Sequence, residues 1–127
     1  SMAEHKVLIT ASGLGSRLGT LTDYTNKALV RVGDKPAISY IVENYNHETE
    51  FVVTLGHYSN HVRDFLELTY PDKKFSFIEV EKYSGPGSSL LYSMSCAKES
   101  LQCPFIFHAS DAIVLDDIII VSLELSK

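Results

Sequence analysis

Cysteine, positive charge and long apolar runs are all scarce in this sequence, and each scarcity excludes a class of protein. The two cysteines, Cys96 and Cys103, are too few for a disulfide framework or a four-cysteine metal site, so we expect reduced thiols in a cytoplasmic protein. Eleven basic residues against 16 acidic ones give a net charge of −5, which disfavours nucleic-acid binding. A nucleotide ligand is still allowed, because a few local cations can hold it. No apolar run approaches the roughly 20 residues of a membrane span, and we see no signal-peptide pattern.

A single domain is expected for a chain of 127 residues. Ser1-Met2 resembles a tag remnant before a start, which leaves residues 3–127 as one domain. No repeat, low-complexity tract or interior linker divides it.

Apolar segments of strand length alternate with segments of helical periodicity. The predicted strands are residues 7–11, 51–55, 75–80 and 104–109, with a further strand in the apolar tail 118–125. The predicted helices run from Pro36 to about Asn46, up to Pro71, and onward from a second glycine loop. Their inward residues are predicted to be Ile38, Ile41, Val42, Tyr45, Val62, Phe65, Leu66, Leu68, Leu90, Leu91, Met94, Ala97 and Leu101. This alternation predicts an α/β fold: a mostly parallel sheet between two helical layers, as in a Rossmann-like three-layer sandwich.

A glycine-rich loop follows the first predicted strand and is followed by two cations. Glycine lets the backbone approach an anion closely, so that peptide N–H groups can surround it. Arg17 and Lys27 would then supply full positive charges. The second glycine loop, 85–89, and Asp111 also follow predicted strands. Because ligands of parallel sheets bind beyond the carboxyl ends of the strands, these segments predict one phosphate-binding site.

Three kinds of glycine loop commonly follow a strand. A dinucleotide-binding loop has the pattern G-x-G-x-x-G and an acidic residue about 20 positions on. Here three residues, not two, separate Gly15 from Gly19. The region about 20 positions on is the turn 34–36 rather than an acidic residue at the end of a second strand, so both features depart from the dinucleotide pattern. A P-loop is excluded, because no Gly-Lys-Ser/Thr follows. The third kind is the glycine-arginine loop of nucleotidyltransferases.

The sequence from Ala11 to Pro36 resembles the signature of the sugar-phosphate nucleotidyltransferases. The matching segments are Ala11-Ser12-Gly13-Leu14-Gly15-Ser16-Arg17-Leu18, Leu21-Thr22, Lys27-Ala28-Leu29 and Gly33-Asp34-Lys35-Pro36. In the family the corresponding pattern is small-small-Gly-x-Gly-Thr-Arg-Leu, then Pro-Leu-Thr, Pro-Lys-Ala-Leu and Gly-Lys-Pro. Thr20 and Asn26 stand where that pattern has prolines. The loop before Lys27 therefore lacks the stiffening that a proline ring would give it. Further matches follow at Gly56-His57-Tyr58, Gly85-Pro86-Gly87-Ser88-Ser89-Leu90 and Ser110-Asp111.

The resemblance implies a nucleotidyltransferase of glycosyltransferase-A-like fold. Such an enzyme transfers a nucleoside monophosphate from an NTP to a phosphorylated small molecule and releases pyrophosphate. Arg17 would contact the departing β- and γ-phosphates, Lys27 the α-phosphate region, and Asp111 would ligate Mg²⁺. Backbone and hydroxyl groups that would hold the nucleotide belong to Ala11, Ser12, Gly13, Gly15, Ser16, Gly85, Ser88 and Ser89.

The second glycine loop favours one branch of that family. Residues 87–93 resemble members that use CTP on phosphocholine-type acceptors more than the Gly-Thr-Ala loop of hexose enzymes. Family members are considerably longer, so we expect a fragment, a natural short form or a sequence from which residues are missing. The residues that select the acceptor are then expected beyond Lys127. A non-catalytic nucleotide-binding or regulatory module, or an inactive fragment, stays open as the alternative. The apolar tail 118–121 favours contact with another subunit, and so a homo-oligomer.

Overall fold

A five-stranded sheet forms the middle layer of the fold. The structure, a computed structural model, describes residues 5–85, 87–110 and 121–123. Its strands are β1 (Lys6–Ala11), β2 (Arg31–Val32), β3 (Lys35–Pro36), β4 (Glu50–Leu55), β5 (Lys74–Glu79), β6 (Phe105–Ala109) and β7 (Val121–Leu123). The main sheet has the order β5-β4-β1-β6-β7, while β2 and β3 form a separate antiparallel pair. The first four strands of that order are mutually parallel and β7 runs antiparallel to β6, which confirms the predicted mostly parallel sheet.

The strand order reverses at β1. After β1 the chain moves outward through β4 to β5 and then returns to β6 on the other side of β1. Ile9 of β1 therefore pairs with both Val53 and His108. In open parallel sheets the crevice at such a reversal is the usual place for a ligand, so the carboxyl ends of β1 and β6 locate the site.

Helices cover both faces of the sheet, as predicted. They are α1 (Ala37–Val42), α2 (Ser59–Thr69) and α3 (Leu90–Cys96), with short 3₁₀ helices at Ser16–Thr22, Lys27–Leu29 and Lys98–Leu101. The strand residues Val7 and Ile9 pack with α1 and α2, whereas Leu8 between them packs towards Ala97 and Leu101 beyond α3. Neighbouring residues of a strand point to opposite faces, so the unbroken apolar run of β1 serves two cores at once.

Helix α1 is shorter than the sequence predicts. It ends at Val42 rather than near Asn46, because the Asn46 side chain accepts a hydrogen bond from the Glu48 backbone and opens a turn instead. Tyr45 leaves the helix and bonds through its hydroxyl to Nε2 of His108, 2.8 Å away. Burial lowers the pKa of His108, which keeps this imidazole uncharged at neutral pH.

Three predicted core leucines are exposed. Leu68, Leu90 and Leu91 are 82%, 48% and 77% exposed, so their inward assignment was wrong. In α2 the buried pair Val62 and Leu66 defines the inner face, and a residue two positions further on points away from it. Helix α3 starts only at Leu90, and Ser93 is its buried residue. Ala97 and Leu101 are buried as predicted.

None of the helices in the described part of the chain combines the length and apolar character that a membrane-spanning helix requires. Of the predicted tail strand 118–125, the structure describes 121–123 as β7; the rest, with the apolar segment 118–120, lies outside the described residues.

The turn lysine of the Gly-Asp-Lys-Pro segment belongs to a surface cluster. Nζ of Lys35 is 2.8 Å from Oε1 of Glu43, and it lies over the ring of Tyr40 at 4.6 Å from the centroid. The Tyr70 hydroxyl donates to the other carboxylate oxygen of Glu43 at 2.6 Å. Lys35 thus ties the β2–β3 hairpin to α1, which is a structural role.

We expect the stability of the fold to fall in strong alkali through Tyr70. Burial and then the hydrogen bond to Glu43 raise the pKa of this phenol to about 12. Since the pKa in the unfolded chain is about 10, the contribution is fully present below that pH and is lost as the pH rises towards 12. Denaturant titrations across this range should show a smaller loss of unfolding free energy in Tyr70→Phe. An equal loss in both proteins would contradict the assignment.

Candidate functional site

A cleft of about 310 Å³ opens at the carboxyl ends of β1 and β6. Its described lining consists of Thr10, Ser12, Gly13, Lys27, Lys82, Tyr83, Ser88, Ser89, Leu90, Ser93 and Ala109. Among these residues are two lysines and several hydroxyl groups, and none is acidic. In a chain of net charge −5, a cleft whose described walls are positive favours an anionic ligand.

Lys27 is seated on the first glycine loop. A Cβ atom added to Gly13 would lie 3.7 Å from Nζ of Lys27, so the ammonium group lies close to the loop backbone. Gly15 has φ +69°, and a Cβ there would be 2.8 Å from Cβ of Lys27. Any side chain at Gly15 would therefore be strained and would also displace the lysine. The two glycines explain how loop and cation share one small space.

Asn26 fixes the backbone just before Lys27. Its amide nitrogen donates to the carbonyls of Ala11 at 2.7 Å and His57 at 2.6 Å, and its oxygen accepts from the Ala28 N–H at 2.8 Å. The residue is fully buried. Asn26 therefore connects the end of β1, the loop after β4 and the 3₁₀ helix that carries Lys27. The family's proline fixes this position by its ring, whereas Asn26 fixes it by hydrogen bonds.

Gly56 lets the loop after β4 pass close to the first glycine loop. The His57 N–H donates to the carbonyl of Ser12 at 3.0 Å. A Cβ on Gly56 would lie 2.6 Å from that same carbonyl oxygen and 2.7 Å from Cβ of Tyr83, which lines the cleft. This close approach gives a physical reason for the Gly-His-Tyr match.

We expect Gly56→Ala to destabilise the protein by about 1–3 kcal/mol, the usual cost of overpacking. The added methyl group meets backbone at Ser12, which cannot move aside cheaply. Gly13→Ala is the matched control, because its methyl group would meet only the end of the Lys27 side chain at 3.7 Å. Thermal or chemical denaturation measures both changes, and equal stability of the two variants would contradict the prediction.

The second glycine loop forms another wall of the cleft. Gly85 has φ +74°, and its carbonyl accepts from both the N–H and the hydroxyl of Ser88. The Ser89 hydroxyl accepts from the Tyr92 N–H at 3.0 Å and so caps α3. Deeper in the cleft, the hydroxyls of Ser12 and Ser93 are hydrogen-bonded at 3.0 Å. The first loop and α3 are thereby joined.

The structure brings together some of the predicted site residues. Ser12, Gly13, Lys27, Ser88 and Ser89 line one cleft. Ala11, Gly15, Ser16 and Gly85 lie close to these residues in sequence but are not part of the described lining. The Arg17 side chain and Asp111 lie outside what the structure describes. Lys82, Tyr83 and Ser93 also line the cleft and were not predicted, although Lys82 and Tyr83 lie just before the second glycine loop.

Ser110 defines where the chain leaves β6. Its hydroxyl donates to the carbonyl of Thr10 at 2.8 Å, and the residue is buried. Asp111, whose carboxylate is the predicted Mg²⁺ ligand, is the next residue in sequence and lies outside the described residues. Within residues 5–85, 87–110 and 121–123, no group of three His, Cys, Asp or Glu side chains is arranged to hold a metal ion.

Known proteins resemble this chain in sequence and in fold. A choline-phosphate cytidylyltransferase of Streptococcus pneumoniae is 31% identical over 108 residues, which cover 84% of this chain and 44% of that protein. The bifunctional protein GlmU of Methanococcus vannielii is 27% identical over 113 residues, covering 88% and 26%. The chain thus spans less than half the length of these relatives.

Solved structures give the same picture. A CTP:phosphocholine cytidylyltransferase from Streptococcus pneumoniae superposes with a TM-score of 0.68 at 32% identity, covering 86% of this chain and 46% of that one. A UDP-glucose pyrophosphorylase in complex with UDP-glucose also reaches 0.68, with coverage of 85% and 46%, but at 19% identity this likeness shows the fold alone. The family model of the MobA-like NTP transferase domain matches residues 7–123. The chain belongs to that family.

Proposed function

We propose that this chain is the NTP-binding part of a nucleotidyltransferase that acts on a phosphorylated small molecule. The observation that supports it best is the described cleft, in which Lys27 and a glycine loop lie at the strand-order reversal together with a second lysine and several hydroxyl groups. In the proposed reaction a phosphate oxygen of the acceptor bonds to the α-phosphorus of the NTP. The bond to the bridging oxygen of the β-phosphate breaks, and pyrophosphate leaves with its electron pair.

The residues of the chain would act by positioning and by charge. Lys27 would stabilise the charge that develops around the α-phosphate, and Arg17 would bind the departing phosphates. Peptide and hydroxyl groups of Ser12, Gly13, Ser88 and Ser89 would hold the rest of the nucleotide. Mg²⁺, with Asp111 as its proposed ligand, supplies further neutralisation of phosphate charge when bound. No covalent protein intermediate is required.

We further propose CTP and a phosphocholine-type acceptor. Sequence identity supports this choice, since it is 31–32% to the choline-phosphate enzymes against 27% to the bifunctional GlmU protein. The free thiols of Cys96 and Cys103 fit a cytoplasmic setting. A non-catalytic nucleotide-binding module is the alternative, because the described cleft holds cations and hydroxyls but no carboxylate.

A pyrophosphate-release screen tests the reaction. Each of the common nucleoside triphosphates is combined with phosphocholine or a sugar phosphate, with and without Mg²⁺. Mg²⁺-dependent release with CTP and phosphocholine is the expected result. Calorimetry with each triphosphate separates the alternatives: binding without turnover favours the module, and absence of both binding and turnover contradicts the proposal.

A further inference from the structure

Lys82 lines the same cleft as Lys27 but comes from a different loop. It precedes the second glycine loop, between β5 and α3, whereas Lys27 follows the first. The structure therefore places cations from two separate loops on one cavity. No motif assigns a role to the second of them.

The side chain of Lys82 is seated on the backbone of Gly87. A Cβ added to Gly87 would lie 3.6 Å from Cδ and 4.0 Å from Nζ of Lys82, which is ordinary van der Waals distance. Gly87 has φ +89°, so a larger residue would be strained there. The lysine stem and the glycine loop thus form one continuous surface.

The described part of the chain gives Lys82 no carboxylate partner. The ion pairs among the described residues join Lys6 to Glu50, Lys35 to Glu43 and Arg63 to Glu79. An ammonium group has three donors and no acceptor, so in a cleft it requires water or an anion.

The hydroxyls that line this wall with Lys82 are uncharged donors or acceptors. The Ser88 hydroxyl donates to the Gly85 carbonyl, whereas the Ser89 hydroxyl accepts from the Tyr92 N–H and keeps its own hydrogen to donate. Lys82 adds the charged donor of this wall.

We propose that Lys82 is a second phosphoryl-binding cation of the cleft. This inference rests on the proposed function, which brings two phosphorylated substrates to one site and so more negative charge than the first loop alone would balance. The phosphoryl group can be that of the nucleotide or that of the acceptor, and the chemistry of recognition is the same.

The test compares three variants by calorimetry. Lys82→Met removes the charge and Lys82→Arg keeps it. Lys98→Met is the matched control, since Lys98 is an exposed lysine that does not line the cleft. The nucleotide arm titrates CTP, CMP and cytidine. The acceptor arm titrates phosphocholine and inorganic phosphate into the CTP-saturated protein.

Lys82→Met is expected to weaken ligand binding in one of the two arms by about tenfold or more, as for loss of a charged hydrogen bond. Lys82→Arg should retain most of the affinity and Lys98→Met all of it. Loss confined to CTP and CMP assigns the nucleotide phosphate, and loss confined to the acceptor arm assigns the acceptor phosphate. If the unsubstituted chain binds these ligands, and Lys82→Met binds them as tightly as Lys98→Met in both arms, only the role of Lys82 is overturned. If the unsubstituted chain binds neither CTP nor phosphate, the proposed function fails with it.

Discussion

Lys27→Met is expected to lower turnover in the pyrophosphate-release assay by about 100- to 1,000-fold, the usual effect of removing one group that stabilises transition-state charge. Methionine keeps an unbranched apolar stem, so the packing of that stem against the Gly15 backbone is retained. The ammonium group, which lies above Gly13, is what the substitution removes. Binding of NTP should weaken as well, by a smaller factor.

The controls for this variant separate charge from folding. Lys98→Met removes the same charge away from the cleft and is expected to leave turnover unchanged. The melting temperature of Lys27→Met is measured in parallel, so that a loss of turnover is assigned to the missing charge only where the variant is folded at the assay temperature. Full turnover in a folded Lys27→Met protein would remove Lys27 from the proposed mechanism.

Much of the fold could be predicted from patterns among residues that are close in sequence. The run Val7 to Ala11 predicts a strand buried on both faces, and both cores contain its residues. Glycines followed by a lysine predict the anion loop, and the close contacts of Gly13 and Gly15 with Lys27 give the physical reason for that spacing. These features depend on neighbours in sequence, which is why the sequence displays them.

Features that depend on strand order could not be predicted in the same way. The Asn26 amide reaches Ala11 at the end of β1 and His57 in the loop after β4, which come together only because β4 pairs with β1. Lys82 enters the cleft because the chain crosses back after β5. The outward position of Leu90 depends on where the Ser89 cap starts α3, which periodicity alone does not determine.

The buried amide of Asn26 leads to the second large prediction. Asn26→Ala is expected to lower the free energy of unfolding by about 3 kcal/mol, because two carbonyls and one N–H lose their partner, at about 1–3 kcal/mol for each buried polar group left unsatisfied. Water entering the vacated space would recover part of the loss. Chemical denaturation measures the change. The exposed Asn44 gives the matched control, and Asn44→Ala should change stability by less than about 0.5 kcal/mol.

The same substitution tests how Lys27 is placed. Asn26→Asp keeps the shape of the side chain but points carboxylate oxygens at the carbonyls of Ala11 and His57, so at neutral pH it should destabilise at least as much as Asn26→Ala. Lowering the pH protonates that carboxyl and restores one donor, and stability should partly recover. Nucleotide affinity should follow, because Lys27 is attached to the same turn. If Asn26→Ala binds nucleotide as tightly as the unsubstituted chain while losing stability, the amide supports the fold without positioning the lysine.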